Sequence, residues 1–216
     1  MNISVILSGG TSSRFGSNTP KQYHIVHGKE VIGYVVEAIE KCPLNNKTII
    51  VAATADMPRL TMTYGVECTE AGLSHNRSVK NGLDYIKSNY PHCKKVLFVD
   101  SCRPFISNET VLDFYELLDK YDAAFMAKHI TDSLGCENDM FVERSPYFLI
   151  QKPEAFAFDL IYNCFSAESP ATAIVQQLPN GAKIMKHFST EHNLKITYPN
   201  DLTLAHNMMK QLSKED

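Results

Sequence analysis

Apolar positions along the chain fall into two alternating patterns. Residues 4–7 (SVIL), 48–53 (TIIVAA), 96–99 (VLFV) and 123–126 (AAFM) are short apolar runs of strand length, the pattern expected of strands buried on both faces. Between them the apolar residues recur at helical spacing. Val31, Ile32, Val35, Val36 and Ile39 share a face over 30–41, Val79, Leu83 and Ile86 over the segment that follows Ser74, and Val111, Phe114, Leu117 and Leu118 over 108–121. Residues 57–64 predict a short helix and 66–69 a short strand. Further along, Pro153 suits a first helical position, so 151–156 predicts the opening of a helix, and 169–178 predicts another. Residues 183–187 and 194–197 predict two strands, and a last helix begins at 199 with Leu202, Leu204, Ala205 and Met208 facing inward. The alternation lapses over 128–150. There, two short segments (130–134 and 140–142) flank 135–139 and predict a hairpin arm of the kind that packs against a partner subunit.

Strand and helix in alternation predict an α/β fold with a mostly parallel sheet covered by helices on both faces. The 216 residues suffice for one domain over 1–216 with a full core, the arm being its 128–150 segment. No repeat, low-complexity tract or linker interrupts the chain.

Charge and composition narrow the function. A net charge of −3 argues against gripping nucleic acid or an anionic membrane, so any anion site is local. No apolar run approaches the ~20 residues of a membrane span, and no signal sequence is legible. The six cysteines show no metal-binding spacing and read as reduced, structural thiols of a cytoplasmic protein.

The candidate chemistry begins at residues 4–22, SVILSGGTSSRFGSNTPKQ. An apolar strand empties into a loop of Gly, Ser and Thr whose backbone N–H groups can make a concave anion site. Arg14 and Lys21 stand ready for a multiply charged anion such as a triphosphate. The spacing matches neither the dinucleotide fingerprint nor the P-loop. The alternative is an ordinary strand-to-helix loop with two solvated cations. Asp100 follows the 96–99 run at the place where ligands collect in open α/β sheets; it either holds Mg²⁺, or caps the next turn or pairs with Arg103. Ser74 is placed to cap the next helix, and Ser78 in its first turns either contacts a nucleotide or is plain polar surface. Lys195 is either an edge-strand charge or aimed at an anion.

Taken together, LSGGxxSRFG with PKQ (7–22), SVxNGL (78–83), VDxxRPF (99–105), Arg144 eight residues before Lys152-Pro153, and LKITxPxDL (194–202) resemble the cytidylyltransferases that act on 2-C-methyl-D-erythritol 4-phosphate or on ribitol 5-phosphate. The resemblance covers nearly the whole chain. It implies a Rossmann-like three-layer nucleotidyltransferase fold, an arm that makes a homodimer, and transfer of CMP from CTP to a substrate phosphate with release of pyrophosphate. It further implies that Arg14, Lys21 and Lys195 are the catalytic cations and that Asp100 binds Mg²⁺. Leu7, Ser8, Gly9, Gly10, Thr11, Gly72, His75, Ser78 and Ser101 are implied as the nucleotide-binding set, and Arg103, Ser133, Arg144, Lys152 and Ser169 as the acceptor set, with Arg144 reaching across the dimer.

The departures concentrate on the acceptor side. Ser12 and His75 replace a Gly and an Arg of the family pattern, changes compatible with CTP. Ser133 and Lys152 each replace a Thr, and Ser169-Pro170 replaces Thr-Asp. An added cation and a missing carboxylate suggest a different acceptor, such as another polyol phosphate or a phosphonate; if instead Lys152 points to solvent, the acceptor is the ordinary one. A CTP-binding sensor without turnover, or a nucleotidyltransferase using another NTP, are the competing classes.

Overall fold

The computed structural model describes residues 1–10, 12–138, 141–188 and 192–215. Its elements in chain order are β1 (Asn2–Ser8), a 3₁₀ turn (Lys21–Tyr23), β2 (Ile25–Val26), β3 (Lys29–Glu30), α1 (Val31–Glu40), β4 (Lys47–Ala52), α2 (Met57–Tyr64), β5 (Glu67–Glu70) and α3 (His75–Asn89). There follow β6 (Lys95–Asp100), α4 (Asn108–Leu117), β7 (Ala123–His129), β8 (Phe148–Ala157), α5 (Phe158–Cys164), a second 3₁₀ turn (Ile174–Gln177), β9 (Ile184–Phe188) and α6 (Pro199–Glu215). The described strands form a seven-stranded sheet in the order β5-β4-β1-β6-β8-β7-β9, while β2 and β3 pair as a separate hairpin. Within that sheet β8 is antiparallel to both neighbours and the remaining pairs are parallel.

The apolar runs of β1, β4 and β6 divide residue by residue between the two faces, because successive side chains of a strand point oppositely. Val5, Ile49, Val51, Val96 and Phe98 pack beneath α3 and α5 with Val79, Leu83, Ile86 and Ile161. Ile6, Ile50, Leu97 and Val99 pack against α1, α2 and α4 through Ile32, Val35, Ile39, Leu60, Val111 and Phe114. A smaller cluster of Phe15, Val26, Val31, Cys102, Ile196 and Ala205 seats α6 beside the loop that follows β1.

Several expected elements differ. Residues 151–156 are part of strand β8, not the start of a helix. The pairing explains it: Phe125 lies opposite Glu154 and Met126 opposite Gln151, so Lys152 and Pro153 form a bulge. Proline has no ladder donor to lose there, so it marks a bulge as readily as a first helical turn. The Lys152–Pro153 peptide is cis.

Residues 169–178 contain only the turn Ile174–Gln177, because Glu154 takes the N–H groups of Ile174 and Val175 that a helix would have used. Residues 194–197 are extended but join no sheet; the backbone of Ile196 instead donates to Cys102 O at 2.9 Å. In α6, Leu204 is solvent-exposed while Ala205 is fully buried, and Met209 packs on the cluster. Helix α4 ends at Leu117, short of residue 121.

The arm leaves from His129 and returns at Phe148, which pair with each other; the described residues between them hold no strand. Of the expected 140–142 segment, Met140 lies outside the described residues. The β2–β3 hairpin went unread, since two residues per strand give no periodicity. Its turn uses His27 and Gly28 at φ 46° and 79°, the double positive φ that suits a tight hairpin.

Candidate active site

A cleft of about 780 Å³ opens at the carboxyl ends of β1 and β6. Leu7 and Asp100 are register partners there, so the chain leaves the two strands side by side and diverges. That crevice is where the direction of strand succession reverses, the usual ligand position in an open α/β sheet.

One wall is the loop after β1. Gly9 is required by packing: a Cβ at that position would sit 2.2 Å from Ala71 Cβ, on the loop after β5. A Cβ on Gly10 would meet nothing within 4 Å, so the space beside it is open. Ser12 adopts φ 54°, a conformation that favours glycine, and its Oγ accepts the Lys21 N–H at 3.1 Å, closing the loop on itself. Lys21 is further fixed by its two successors. The buried Gln22 donates to Ser8 O at 3.0 Å, and Tyr23 donates to Asp56 at 3.1 Å beneath the Arg59 guanidinium, 4.3 Å from its ring. Arg14 and Lys21 line the cleft with no ion-pair partner among the described residues.

The floor is charged. Asp100 Oδ2 accepts from Arg103 Nε and from Lys195 Nζ, each at 3.0 Å. Burial alone would raise the Asp100 pKa, but the Lys195, Arg103 and Lys152 charges outweigh it and hold the carboxyl far below the usual range. Arg103 also donates to Asn193 O at 2.8 Å, and the Asn193 amide donates to Lys152 O at 2.8 Å, so Lys195 hangs from a strap pinned on both sides. Cys102 lines the same floor; burial and the Asp100 charge push its thiol up, which keeps it from acting as a nucleophile.

The third wall is the start of α3. Ser74 Oγ caps it, accepting Arg77 N–H at 3.1 Å. The buried Ser78 Oγ accepts the Gly72 N–H at 3.1 Å and donates to Ser74 O at 3.0 Å, so its hydroxyl shapes the turn that faces the cleft. His75 sits at the rim. Desolvation by the cleft walls, then the Lys152 charge, lower its pKa to about 4, so the imidazole is neutral at pH 7.

Opposite lies β8. Lys152 is 5% exposed and Glu154 1%, and Lys152 Nζ donates to Glu154 Oε1 at 2.5 Å. Lys152 therefore does not point to solvent.

The chain matches the profile of the 2-C-methyl-D-erythritol 4-phosphate cytidylyltransferase family over residues 2–211. The chain belongs to this family. Its relatives include the 2-C-methyl-D-erythritol 4-phosphate cytidylyltransferase of Clostridium acetobutylicum, 28% identical with 99% of each chain covered. The D-ribitol-5-phosphate cytidylyltransferase of Mus musculus is also 28% identical, over 96% of this chain and 52% of that protein. Among solved structures, 4-diphosphocytidyl-2C-methyl-D-erythritol synthase from Anaerococcus prevotii superposes with a TM-score of 0.82 at 23% identity, covering 97% and 96% of the two chains, and shares the fold.

In this cytidylyltransferase the cleft gathers most of the residues expected from sequence. Leu7, Gly9, Gly10, Arg14 and Lys21 lie on the loop side, Gly72, His75 and Ser78 at α3, and Asp100, Ser101, Arg103, Lys152 and Lys195 on the floor. Ser8 is buried beside Tyr23 and does not line the cleft. Ser169 lines a smaller neighbouring hollow of about 420 Å³. Ser133 and Arg144 lie on the exposed arm, where Arg144 donates to the carbonyls of Thr131 and Asp132. Thr11 lies outside the described residues. Glu154, Asn193 and Gln22 were missed. Gln22 belongs to the PKQ string and could have been singled out from it; a buried acid within a sheet strand and an Asn in a strap leave no periodic signal.

Proposed function

We propose that this cytidylyltransferase joins CMP, taken from CTP, to a phosphate or phosphonate oxygen of a small polyol or alcohol, over one domain spanning 1–216. One observation carries the reading: Arg14, Lys21 and Lys195 converge with Asp100 on a single cleft built from a small-residue loop. An acceptor oxyanion attacks the α-phosphorus of CTP, a P–O bond forms, and the bond to the β-phosphate oxygen breaks with its electron pair leaving on pyrophosphate. The attacking group is already an anion, so no strong base is required. The difficulty is bringing two anions together, and positioned cations meet it. Arg14 and Lys21, on the loop, serve the triphosphate, with Lys195 beside the α-phosphate. Leu7, Gly9, Gly10, Gly72, Ser78 and Ser101 form the nucleotide wall together with neutral His75. Arg103, Ser133, Lys152 and Ser169 serve the acceptor.

Asp100 would hold Mg²⁺. The described residues hold no cluster of three acidic, His or Cys groups, and Mg²⁺ needs only one or two carboxylates when substrate phosphates supply the rest. Both cation contacts of Asp100 fall on Oδ2. When bound, the ion shields the phosphates and eases departure of pyrophosphate.

Arg144 would reach the acceptor of a second subunit. The exposure of Phe141, Tyr147 and Leu149 beside it supports a homodimer through the arm. The six free thiols suit the reducing cytoplasm. Among the described residues no helix is long and apolar enough to cross a membrane.

The buried Lys152 favours an acceptor other than methylerythritol phosphate; the names of the bacterial relatives favour that compound itself. A panel of CTP, Mg²⁺ and 2-C-methyl-D-erythritol 4-phosphate, D-ribitol 5-phosphate or 2-hydroxyethylphosphonate decides. Pyrophosphate release with methylerythritol phosphate alone would defeat the first preference. CTP binding without turnover on a broad panel would favour a sensor, which needs no cation beside the α-phosphate.

A further inference from the structure

Glu154 is enclosed in the sheet, yet its carboxylate is fully engaged. Oε2 accepts Val175 N–H at 2.7 Å, and Oε1 accepts Lys152 Nζ at 2.5 Å and Ile174 N–H at 3.3 Å. The side chains of Lys152 and Glu154 are 6% and 2% exposed, and both line the cleft. The pair belongs neither to the loop that carries Arg14 and Lys21 nor to the Asp100 ion pairs. A bulge re-aims the side chains of its strand, and here it delivers Lys152 to the cleft. Thr172 and Ala173, immediately before the two N–H donors, form the adjoining stretch of wall.

One carboxylate thus fixes three things at once: the ammonium, the wall, and their spacing. An ammonium has three donors. Glu154 occupies one, and the other two remain for an anionic ligand entering beside His75.

We propose that Glu154 is the positioning residue of the acceptor subsite: it aims Lys152 so that Lys152 binds the phosphate or phosphonate group of the acceptor, and it locks the 172–175 wall against that group. The proposal rests on the cytidylyl-transfer reading. The other titratable groups around Lys152 are the neutral His75 on α3 and Asp100 on β6, with Arg103 and Lys195 on Asp100. Asp100 is already shared by two cations, so Glu154 is the carboxylate that partners Lys152.

The test compares Glu154→Gln, Lys152→Met and the double variant with the wild type, using whichever of the three named acceptors turns over. Glutamine is isosteric and keeps an oxygen for a backbone donor, so Glu154→Gln folds; a melting curve checks it. The expected result is a rise of about tenfold in acceptor KM at pH 8, a smaller fall in kcat, and a CTP Kd within twofold of wild type. Glu154→Gln adds nothing in the Lys152→Met background. A purely structural role does not move acceptor KM selectively over kcat and CTP Kd. Equal changes in CTP and acceptor binding, or additive losses in the double variant, would overturn the proposal while leaving cytidylyl transfer intact. A wild type that releases no pyrophosphate with any acceptor overturns both.

Discussion

Replacing Lys195 with Met separates catalysis from folding, because the structure assigns very different magnitudes to the two. Lys195 Nζ lies 3.0 Å from Asp100 Oδ2, with the lysine side chain 42% and the aspartate 10% exposed. Two unit charges 4 Å apart interact by about 4 kcal/mol at an effective dielectric of 20. Exposure of the lysine screens that to about 1 kcal/mol of stability. Arg103 stays on the same carboxylate oxygen, so the buried charge is not orphaned. A loss of about 1 kcal/mol lowers Tm by roughly 2–4 °C in a chain of this size.

In the transition state the missing cation costs about 3–4 kcal/mol, or ~10²–10³ in rate. Pyrophosphate release at saturating CTP, Mg²⁺ and acceptor gives the rate, and calorimetry gives Tm. Turnover within fivefold of wild type, or a rate loss matched by a Tm collapse beyond 10 °C, would refute the reasoning. The sign of the acid response is also fixed. The folded-state pKa of Asp100 is depressed, so its contribution to stability is present above the unfolded carboxylate pKa and is lost as pH falls through the folded value. Removing Lys195 raises that folded value, and the variant loses stability at a higher pH than wild type.

Three further outcomes are expected. Gly9→Ala should lose about 1–3 kcal/mol by overpacking against Ala71, with weaker CTP binding, whereas Gly10→Ala should melt like wild type and lose CTP affinity alone; calorimetry and titration with CTP distinguish them. Imidazole shifts followed by NMR should show His75 titrating near pH 4; its folded pKa is depressed, so the unfolded state binds the proton first and stability declines from about pH 6.5 down to 4, and a midpoint near 6.5 would contradict the geometry. Ser74→Ala should cost about 1 kcal/mol through loss of the α3 cap, read as a Tm fall of a few degrees.

The parts of the fold legible in the sequence are those whose residues answer to a single local rule. The periodic face of α1 and the unbroken runs of β4 and β6 reflect burial alone, and those elements stand where the pattern put them. Residues 151–156 obeyed two rules at once. Proline and glutamate together resemble the first turn of a helix, but here the proline fills a bulge and the glutamate captures distant backbone donors. Residues 194–197 have strand chemistry without a neighbouring ladder to join. In the site, Arg14, Lys21, Asp100 and Lys195 were visible because ordered strings surround them. Glu154 and Asn193 were not, since a residue that acts by holding another leaves its mark in three dimensions only.

The reversed strand β8 has an evolutionary corollary. It meets β7 at His129–Phe148, and four residues later it delivers Lys152 to the cleft, so everything between 130 and 147 can be lengthened, shortened or exchanged without disturbing the parallel strands. Of the residues proposed for the acceptor, Ser133 and Arg144 sit on that exchangeable excursion, whereas Lys152 stays with the sheet.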